Sequence, residues 1–177
     1  MEYLFGPVLS RRLGLSMGVD LLRHKTCNMD CIYCELGRTG RLSCRRERFV
    51  PLQEVLQEIR EKRNEPFDYL TFAGSGEPTL SQDLGRAVAF AKRTVSAPVA
   101  VITNSSLLVS PAVRREVAEA DVVLPSLAAA SPAVFQKIDR PAQGLKIEEI
   151  IQGIKQFRRE FSGEIWLEVM LVAGIND

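Results

Sequence analysis

The apolar positions of the chain follow two patterns that take turns along the sequence. In one pattern, apolar residues recur three and four positions apart, which predicts amphipathic helices. Five segments show this spacing, and they begin near Pro51, Ser81, Pro111, Pro132 and Ile147. The sequence therefore predicts at least five helices distributed over most of its length.

The second pattern consists of short, continuous apolar runs of strand length. They cover residues 17–22, 69–73, 99–103, 122–124 and 165–172. Because these runs alternate with the helices without consecutive hairpins, the order favours a parallel sheet covered by helices. Periodicity alone does not separate an open doubly wound sheet from a curved barrel. In both folds ligands bind at the C-terminal ends of the strands.

Composition narrows the class of protein. The 177 residues, 46% of them hydrophobic and 25% charged, are typical of one globular domain, to which we assign residues 1–177. The net charge of +1 does not indicate a polyanionic partner. A single histidine argues against a Ser-His-Asp hydrolase and against multi-histidine zinc or iron sites. No apolar run approaches the roughly 20 residues that cross a bilayer, so we expect a cytoplasmic protein without membrane association.

Three of the four cysteines lie in one short loop after the first predicted strand. Cys27, Cys31 and Cys34 form the pattern C-x3-C-x2-C, and grouped thiolates select iron-sulfur clusters, zinc or Cu(I). A zinc site needs further ligands, for which only His24 and Cys44 are candidates. An iron-sulfur cubane with three cysteine ligands instead leaves one iron open to a small chelating molecule. We interpret Cys44, alone in an arginine-rich loop, as a surface or packing thiol.

A glycine-rich turn, GSGEP, follows the second predicted strand. Gly74 and Gly76 let the backbone approach a ligand, and the Glu77 carboxylate can receive an ammonium group. A simple tight turn is the alternative interpretation. The turn is not a serine-nucleophile elbow, because Ala73 and Glu77 stand where that motif requires glycine.

Polar residues also follow the third and fourth predicted strands. Asn104 lies in the sequence TNSS at the end of one strand, and Ser126 follows Pro125 at the end of the next. Polar side chains at these strand ends are candidates for ligand contacts. Turn or cap roles are the alternative for each.

The cysteine loop with its aromatic residue, C-x3-C-x-Tyr-C, resembles the signature of the radical S-adenosylmethionine (SAM) superfamily. The flanking sequences GPVLSRRLGLSMGVD and KTCNMDCIYCELGRTG resemble a subgroup related to the tRNA wyosine-base synthetases. The resemblance implies a partial (βα)6-type barrel, a parallel curved sheet with outer helices. It implies that Cys27, Cys31 and Cys34 bind a [4Fe-4S] cluster whose open iron is chelated by SAM. One electron would then cleave SAM to methionine and a 5′-deoxyadenosyl radical, which abstracts hydrogen from a substrate.

The same resemblance implies a SAM site around the cluster. Tyr33 corresponds to an aromatic position near the adenine, and the GSGEP turn corresponds to a G-G-E-P-like motif that binds the methionine amino group. Asn104 and Ser126 correspond to positions that contact the ribose and carboxylate. Relatives tend to carry an aspartate where this chain has Ala128, so their substrate chemistry is not transferred and no catalytic residue is assigned. Asn176 resembles a G-x-N-D ending of the subgroup.

The resemblance also implies partners. An external one-electron donor such as flavodoxin or ferredoxin is expected, and the expected substrate is a tRNA base or a peptide or protein. Five arginines within residues 35–48 offer an RNA or phosphate contact, with a solvated charged face as the alternative. The competing function is an iron-sulfur or zinc module for electron transfer or interaction without SAM chemistry. Because five strands are one fewer than the barrel has, we expect a core without its last βα unit, covered by another segment or a second copy.

Overall fold

Four strands precede the first helix, and strands and helices then largely alternate, along residues 2–177, which a computed structural model of the protein describes. The strands are β1 (Leu4–Ser10), β2 (Gly14–Val19), β3 (Thr26–Cys27), β4 (Arg41–Leu42), β5 (Tyr69–Phe72), β6 (Val99–Thr103), β7 (Val122–Pro125) and β8 (Glu164–Ile165). The helices are α1 (Leu52–Lys62), α2 (Leu84–Thr94), α3 (Pro111–Val117), α4 (Pro132–Ile138) and α5 (Ile147–Glu160). Short 3₁₀ helices occupy Pro78–Leu80 and Ser106–Val109.

Six strands form one sheet in the order β1-β2-β5-β6-β7-β8. β1 pairs antiparallel to β2, and every later pair of neighbours is parallel. β3 and β4 form a separate two-stranded parallel ladder. The mostly parallel sheet with intervening helices confirms the predicted α/β fold. The sheet is open, with β1 and β8 at its edges.

The antiparallel β1–β2 hairpin adds a strand that the apolar pattern does not predict. Most residues of β1 are exposed, so this strand carries no buried apolar run that periodicity could detect. β2 covers Gly14–Val19, whereas the apolar pattern predicts a strand over residues 17–22. Leu21 and Leu22 are buried, but they follow the strand and begin the loop that leads to the cysteines.

The predicted strand at residues 165–172 is confirmed only in its first part. β8 covers Glu164–Ile165, and the N–H groups of Trp166 and Glu168 continue the contact with β7 by donating to the carbonyls of Val123 and Pro125, both over 2.9 Å. The apolar side chains at 167 and 169–171 are 45% to 69% exposed. An apolar run forms a strand where neighbouring elements cover it. Within residues 2–177 no strand lies beyond β8, so the end of this run has no strand to pair with.

Two apolar clusters hold the helices against the sheet. In the larger cluster, α1, α2, α3 and the end of α5 pack against the central strands. Its Phe157 is fully buried, and burial of such a side chain contributes roughly 1.5–3 kcal/mol. The smaller cluster joins Phe135 and Ile138 of α4 and Ile147 of α5 to Met29 of the cysteine loop. It places that loop beside the C-terminal ends of the strands.

Pro111 and Pro132 each begin a helix, as the Ser-Pro pairs predict. Neither preceding serine uses its side chain as a cap, so the signal lies in the fixed φ of proline at the first helical position. Within the described residues, every helix is too short or too polar to span a bilayer.

Helix α5 approaches the 3₁₀ helix Ser106–Val109 closely at Gly153. A Cβ on this glycine would lie 2.7 Å from the nitrogen of Val109 and 2.8 Å from the carbonyl carbon of Leu108. These are backbone atoms, which cannot move aside as the end of a flexible side chain can. Glycine therefore permits the contact through which α5 supports the segment that follows β6.

We expect Gly153→Ala to lower the free energy of unfolding by about 1–3 kcal/mol, the usual cost of overpacking. In an exposed helix interior the same change would raise stability by roughly 1 kcal/mol, so the sign separates packing from helix propensity. Urea unfolding followed by circular dichroism measures the difference. Gln152→Ala, at an exposed position of the same helix, should change stability by less than about 0.5 kcal/mol. A stabilised Gly153→Ala protein would contradict the close contact.

Candidate active site

A cavity of about 220 Å³ lies at the C-terminal ends of β5, β6 and β7, beside the cysteine loop. All nine residues for which the sequence and its resemblance predict cofactor contacts line this cavity. They are Cys27, Cys31, Tyr33, Cys34, Gly74, Gly76, Glu77, Asn104 and Ser126. Parallel strands end at the same edge of a sheet, which brings together residues from four distant parts of the chain.

The other cysteine and the histidine lie elsewhere. His24 and Cys44 are exposed and do not line the cavity. Within residues 2–177, no three His, Cys, Asp or Glu side chains are gathered closely enough to hold a metal ion. The three thiols of the loop share a cavity wall without converging on one point.

Backbone hydrogen bonds join the cysteine loop to the GSGEP turn. The N–H of Thr26 donates to the Ser75 carbonyl over 3.1 Å, and the N–H of Glu77 donates to the Thr26 carbonyl over 3.2 Å. Between these bonds, Gly76 has a φ of +157°, and a Cβ there would lie 1.7 Å from the Thr26 oxygen. Gly76 is thus required by the approach of two protein backbones. The sequence alone predicts that the glycine allows the approach of a ligand.

Gly74 allows a second close approach, to the side chain of Asp20. A Cβ on Gly74 would lie 2.5 Å from Asp20 Cγ. The Asp20 carboxylate accepts hydrogen bonds from the Ser75 N–H, at 2.8 Å, and from the Ser75 hydroxyl. The carboxylate fixes the turn from the side of β2. Sequence periodicity does not single out Asp20, because a polar residue directly after a strand is common.

The Glu77 carboxylate is buried, with 2% of the residue exposed. Its Oε1 accepts bonds from the Thr79 N–H (3.1 Å), the Thr79 hydroxyl (2.5 Å) and the Thr103 hydroxyl (2.6 Å). Its Oε2 accepts one bond, from the Asn104 N–H (2.6 Å). Each carboxylate oxygen has two lone pairs, which on Oε1 are shared among three donors, whereas Oε2 has one donor and keeps a place for another. Burial raises the pKa of Glu77, while the bonds from Thr103, Thr79 and Asn104 act in the opposite direction.

Asn104 contacts the cysteine loop through its side chain. Its Nδ2 lies 3.5 Å from the Cys27 sulfur and donates to Asn28 Oδ1 over 2.7 Å. Asn28 is fully buried, and the sequence analysis does not identify it. Asn28 stands between two predicted metal ligands in the sequence, and this position could have identified it. A buried amide at such a position needs several hydrogen-bond partners.

The middle of the loop is attached to the end of α4. The N–H groups of Asp30 and Ile32 donate to the carbonyls of Asp139 and Ile138, both over 2.9 Å. The Asp139 carboxylate accepts bonds from the Tyr33 hydroxyl at 3.1 Å and from the Cys31 thiol at 3.4 Å. Asp139 fixes the ring of Tyr33 at the cavity wall. After Asp20 and Asn28, it is the third site residue that sequence reasoning missed.

The buried groups of the site favour their neutral forms. Burial raises the pKa of the Cys27 thiol to about 11, with a further contribution from the Glu77 carboxylate. Burial and the neighbouring Asp139 raise the pKa of the Cys31 thiol, and burial raises the pKa of Asp139 itself. Thiols must lose their protons to bind a metal. Metal binding to this loop therefore releases protons at neutral pH.

The arginine-rich loop is largely engaged in contacts within the chain. Arg46 donates to the carbonyls of Thr79 and Ser81, both over 2.8 Å, and forms a two-pronged ion pair with Glu116. Three of the other four arginines, at positions 41, 45 and 48, have acidic partners within 3.6 Å. These pairs give most of the loop's positive charge a partner inside the chain, which weakens the interpretation of the loop as an RNA contact.

The fold and the cavity define an α/β protein with three cysteines at the ligand-binding edge of a parallel sheet. The chain belongs to the radical SAM superfamily, since residues 22–177 match the family model of that superfamily. The resemblance seen in the cysteine loop is thereby confirmed at the level of the family.

Curated relatives align with nearly the whole of this chain. A Brachyspira hyodysenteriae protein named GTPase Obg is 43% identical over 98% of this chain, which spans 26% of that protein. A UPF0026 protein of Methanocaldococcus jannaschii is 36% identical over 99% of this chain and 56% of its own length. The chain thus spans only part of the curated relatives it matches. It has no G-x4-G-K-[ST] phosphate-binding motif, so the name of the first relative describes that protein alone.

Solved structures share the fold. TYW1 with a lysine-pyruvate adduct has a TM-score of 0.63 at 17% identity, covering 91% of this chain and 57% of that one. The enzyme anSMEcpe with bound AdoMet has a TM-score of 0.62 at 16% identity, covering 86% of this chain and 42% of that one. At these identities, the two matches show that this chain shares its fold with both proteins.

We expect Gly76→Ala to separate the cysteine loop from the GSGEP turn, because the new Cβ would overlap the Thr26 oxygen. Hydrogen exchange measured by NMR should show faster exchange at the N–H groups of Thr26 and Glu77, which form the pairing. Gly40→Ala is the matched control, since its Cβ would meet nothing closer than 3.8 Å. Unchanged protection at both N–H groups in the Gly76→Ala protein would show that this contact does not hold the loop.

Proposed function

We propose that this enzyme binds a [4Fe-4S] cluster through Cys27, Cys31 and Cys34 and binds SAM beside it in the same cavity. The observation that carries the proposal is the convergence of all nine predicted residues on one cavity. The donor set fits the cluster, because three thiols line one wall and leave one iron for a chelating ligand. Bound together, the two cofactors supply one-electron cleavage of the sulfonium and hydrogen abstraction by the 5′-deoxyadenosyl group.

Glu77 is suited to receive the ammonium group of SAM. Four hydrogen bonds fix its carboxylate, and Oε2 retains a free acceptor position. A buried carboxylate whose pKa is raised by desolvation is stabilised by a positive partner. The arrangement thus favours a ligand that brings its own cation.

Tyr33 and Ser126 also line the cavity, and hydrogen bonds fix both residues. The bond from the Tyr33 hydroxyl to Asp139 holds the aromatic ring in one orientation, as an adenine-packing role requires. Ser126 is fixed through its backbone, since its N–H donates to the Thr103 carbonyl and its own carbonyl accepts from the Ser105 hydroxyl, both over 2.8 Å. Both residues are therefore positioned before a ligand arrives.

The substrate proposed from the resemblance is a tRNA base or a peptide side chain, with flavodoxin or ferredoxin as the electron donor. Leu167, Val169 and Met170 have exposed apolar side chains. These residues follow β8 and therefore lie at the C-terminal ends of the strands, where the cavity also lies. Product analysis by mass spectrometry after incubation with tRNA or with peptide extracts assigns the substrate class. A mass change confined to one of the two pools identifies it.

Anaerobic reconstitution of the wild-type protein is expected to yield about four irons per chain, an EPR signal that SAM perturbs, and 5′-deoxyadenosine after reduction. Replacing Cys27, Cys31 or Cys34 by alanine should abolish all three signals. Cys44→Ala is the matched control and should keep them, because Cys44 is exposed and outside the cavity. Stoichiometric zinc in a colourless wild-type protein would refute the proposal, and a cluster without 5′-deoxyadenosine would favour an electron-transfer module.

We expect Glu77→Ala to weaken SAM binding at least about tenfold, because a hydrogen bond to a charged group contributes roughly 1.5–3 kcal/mol. Iron content should stay at the wild-type value, since Glu77 supplies no ligand. Glu77→Gln keeps the shape of the side chain while removing its charge, and so guards against an effect of misfolding. Isothermal titration with SAM measures the affinity, with Glu61→Ala on the exposed face of α1 as the control. Loss of the cluster in Glu77→Gln would show that the division of roles is wrong.

A further inference from the structure

The hydrogen bonds of the Asn104 side chain fix which of its two polar atoms faces Cys27. The backbone N–H of Ser106 donates to Asn104 Oδ1 over 3.1 Å, and the Ser106 hydroxyl donates to the same atom over 2.6 Å. A backbone N–H can only donate, so the atom opposite it must be the amide oxygen. The amide nitrogen therefore points toward the Cys27 sulfur, which lies 3.5 Å away.

A second amide holds the first in place. Asn104 Nδ2 donates to Asn28 Oδ1 over 2.7 Å, and Asn28 Nδ2 donates to the Ser106 hydroxyl over 2.7 Å. Asn28, Asn104 and Ser106 thus close a ring of side-chain hydrogen bonds, and two of its members are fully buried. An amide nitrogen carries two hydrogens. One is directed to Asn28, which leaves the other for the sulfur of Cys27.

The backbone around Asn104 is constrained as well. Ser105 has a left-handed φ of 70°, and its N–H donates to the Thr103 hydroxyl over 3.1 Å. The Asn104 N–H is bound to Glu77. The strand end, the turn and the side chain of Asn104 are therefore all fixed. Because of this, the fold itself directs the side-chain N–H of Asn104 toward the cysteine loop.

We propose that Asn104 is a positioning residue whose amide N–H donates to the Cys27 sulfur and raises the reduction potential of the cluster bound there, with Asn28 orienting the amide. The inference rests on the proposed function and gives Asn104 a role distinct from a SAM contact. A hydrogen bond to sulfur strengthens as the sulfur becomes more negative. It therefore stabilises the reduced form more than the oxidised form, and hydrogen bonds to the sulfurs are one of the factors that set cluster potentials.

The test is the midpoint potential of the reconstituted protein, measured by EPR during a redox titration without SAM. Asn104→Ala should shift the midpoint to more negative values, and Asn104→Asp should shift it further, because an oxygen then faces the sulfur. Asn28→Ala should shift it in the same direction by a smaller amount, since Asn104 is present but less constrained. Asn64→Ala, at an exposed position outside the cavity, is the matched control and should keep the wild-type midpoint.

Iron and sulfide content, measured on the same samples, separates this inference from the proposed function. Wild-type midpoints in both Asn104 variants at wild-type iron content would overturn the inference and leave the proposed function intact. A wild-type protein that takes up no cluster would overturn both. Where Asn104→Ala lowers cluster content, Asn28→Ala decides: a negative shift supports the inference and an unchanged midpoint overturns it. A residue that only contacts SAM would alter SAM affinity and leave the SAM-free potential unchanged.

Discussion

The backbones of Thr26 and Gly76 meet with no room for a Cβ, and the geometry of the site depends on this contact. Thr26 directly precedes the first cysteine, while Gly76 directly precedes Glu77. One pair of backbone hydrogen bonds therefore places a thiol and a carboxylate on the same cavity. Backbone pairing suits this purpose, because its geometry is fixed by the peptide groups and not by flexible side chains.

The loop between the cysteines is held at a second place, by the chain that leaves α4. The carbonyls of Ile138 and Asp139 accept from Ile32 and Asp30, and the apolar cluster around Met29 packs beneath. Held on two sides, the loop keeps its thiols along the cavity wall even though no regular element contains Cys31 or Cys34. An irregular loop can thus present ligands in a defined order when its backbone donors are satisfied by neighbouring segments.

An element or site residue can be predicted from the sequence when residues close to it along the chain mark it. Helix α1 is marked by periodic apolar residues and strand β6 by a continuous apolar run, and most of these residues are buried, so the sequence predicts both elements closely. β1 is exposed along most of its length, so apolar periodicity does not detect it. The apolar run at 165–172 lacks a covering strand, so the same signal predicts a longer strand than the structure has. The cysteines and Glu77 are marked by residue type and spacing. Asn28 is marked locally only by its place between two cysteines. Asn28 and Asp139 act through contacts with residues that are 76 and 108 positions away, respectively, and the local sequence does not show which distant residue each one contacts.

Electrostatics connect the two halves of the cavity. The buried Glu77 carboxylate contributes to the raised pKa of Cys27, so ionising both groups in the same cavity is unfavourable without a cation. In the proposed function, iron would supply positive charge on the thiol side, and the ammonium group of SAM would supply it at the free acceptor position of Glu77 Oε2. A cation at Glu77 would thus weaken one of the two causes that raise the pKa of the Cys27 thiol, the other being burial, and this effect requires no movement of the backbone.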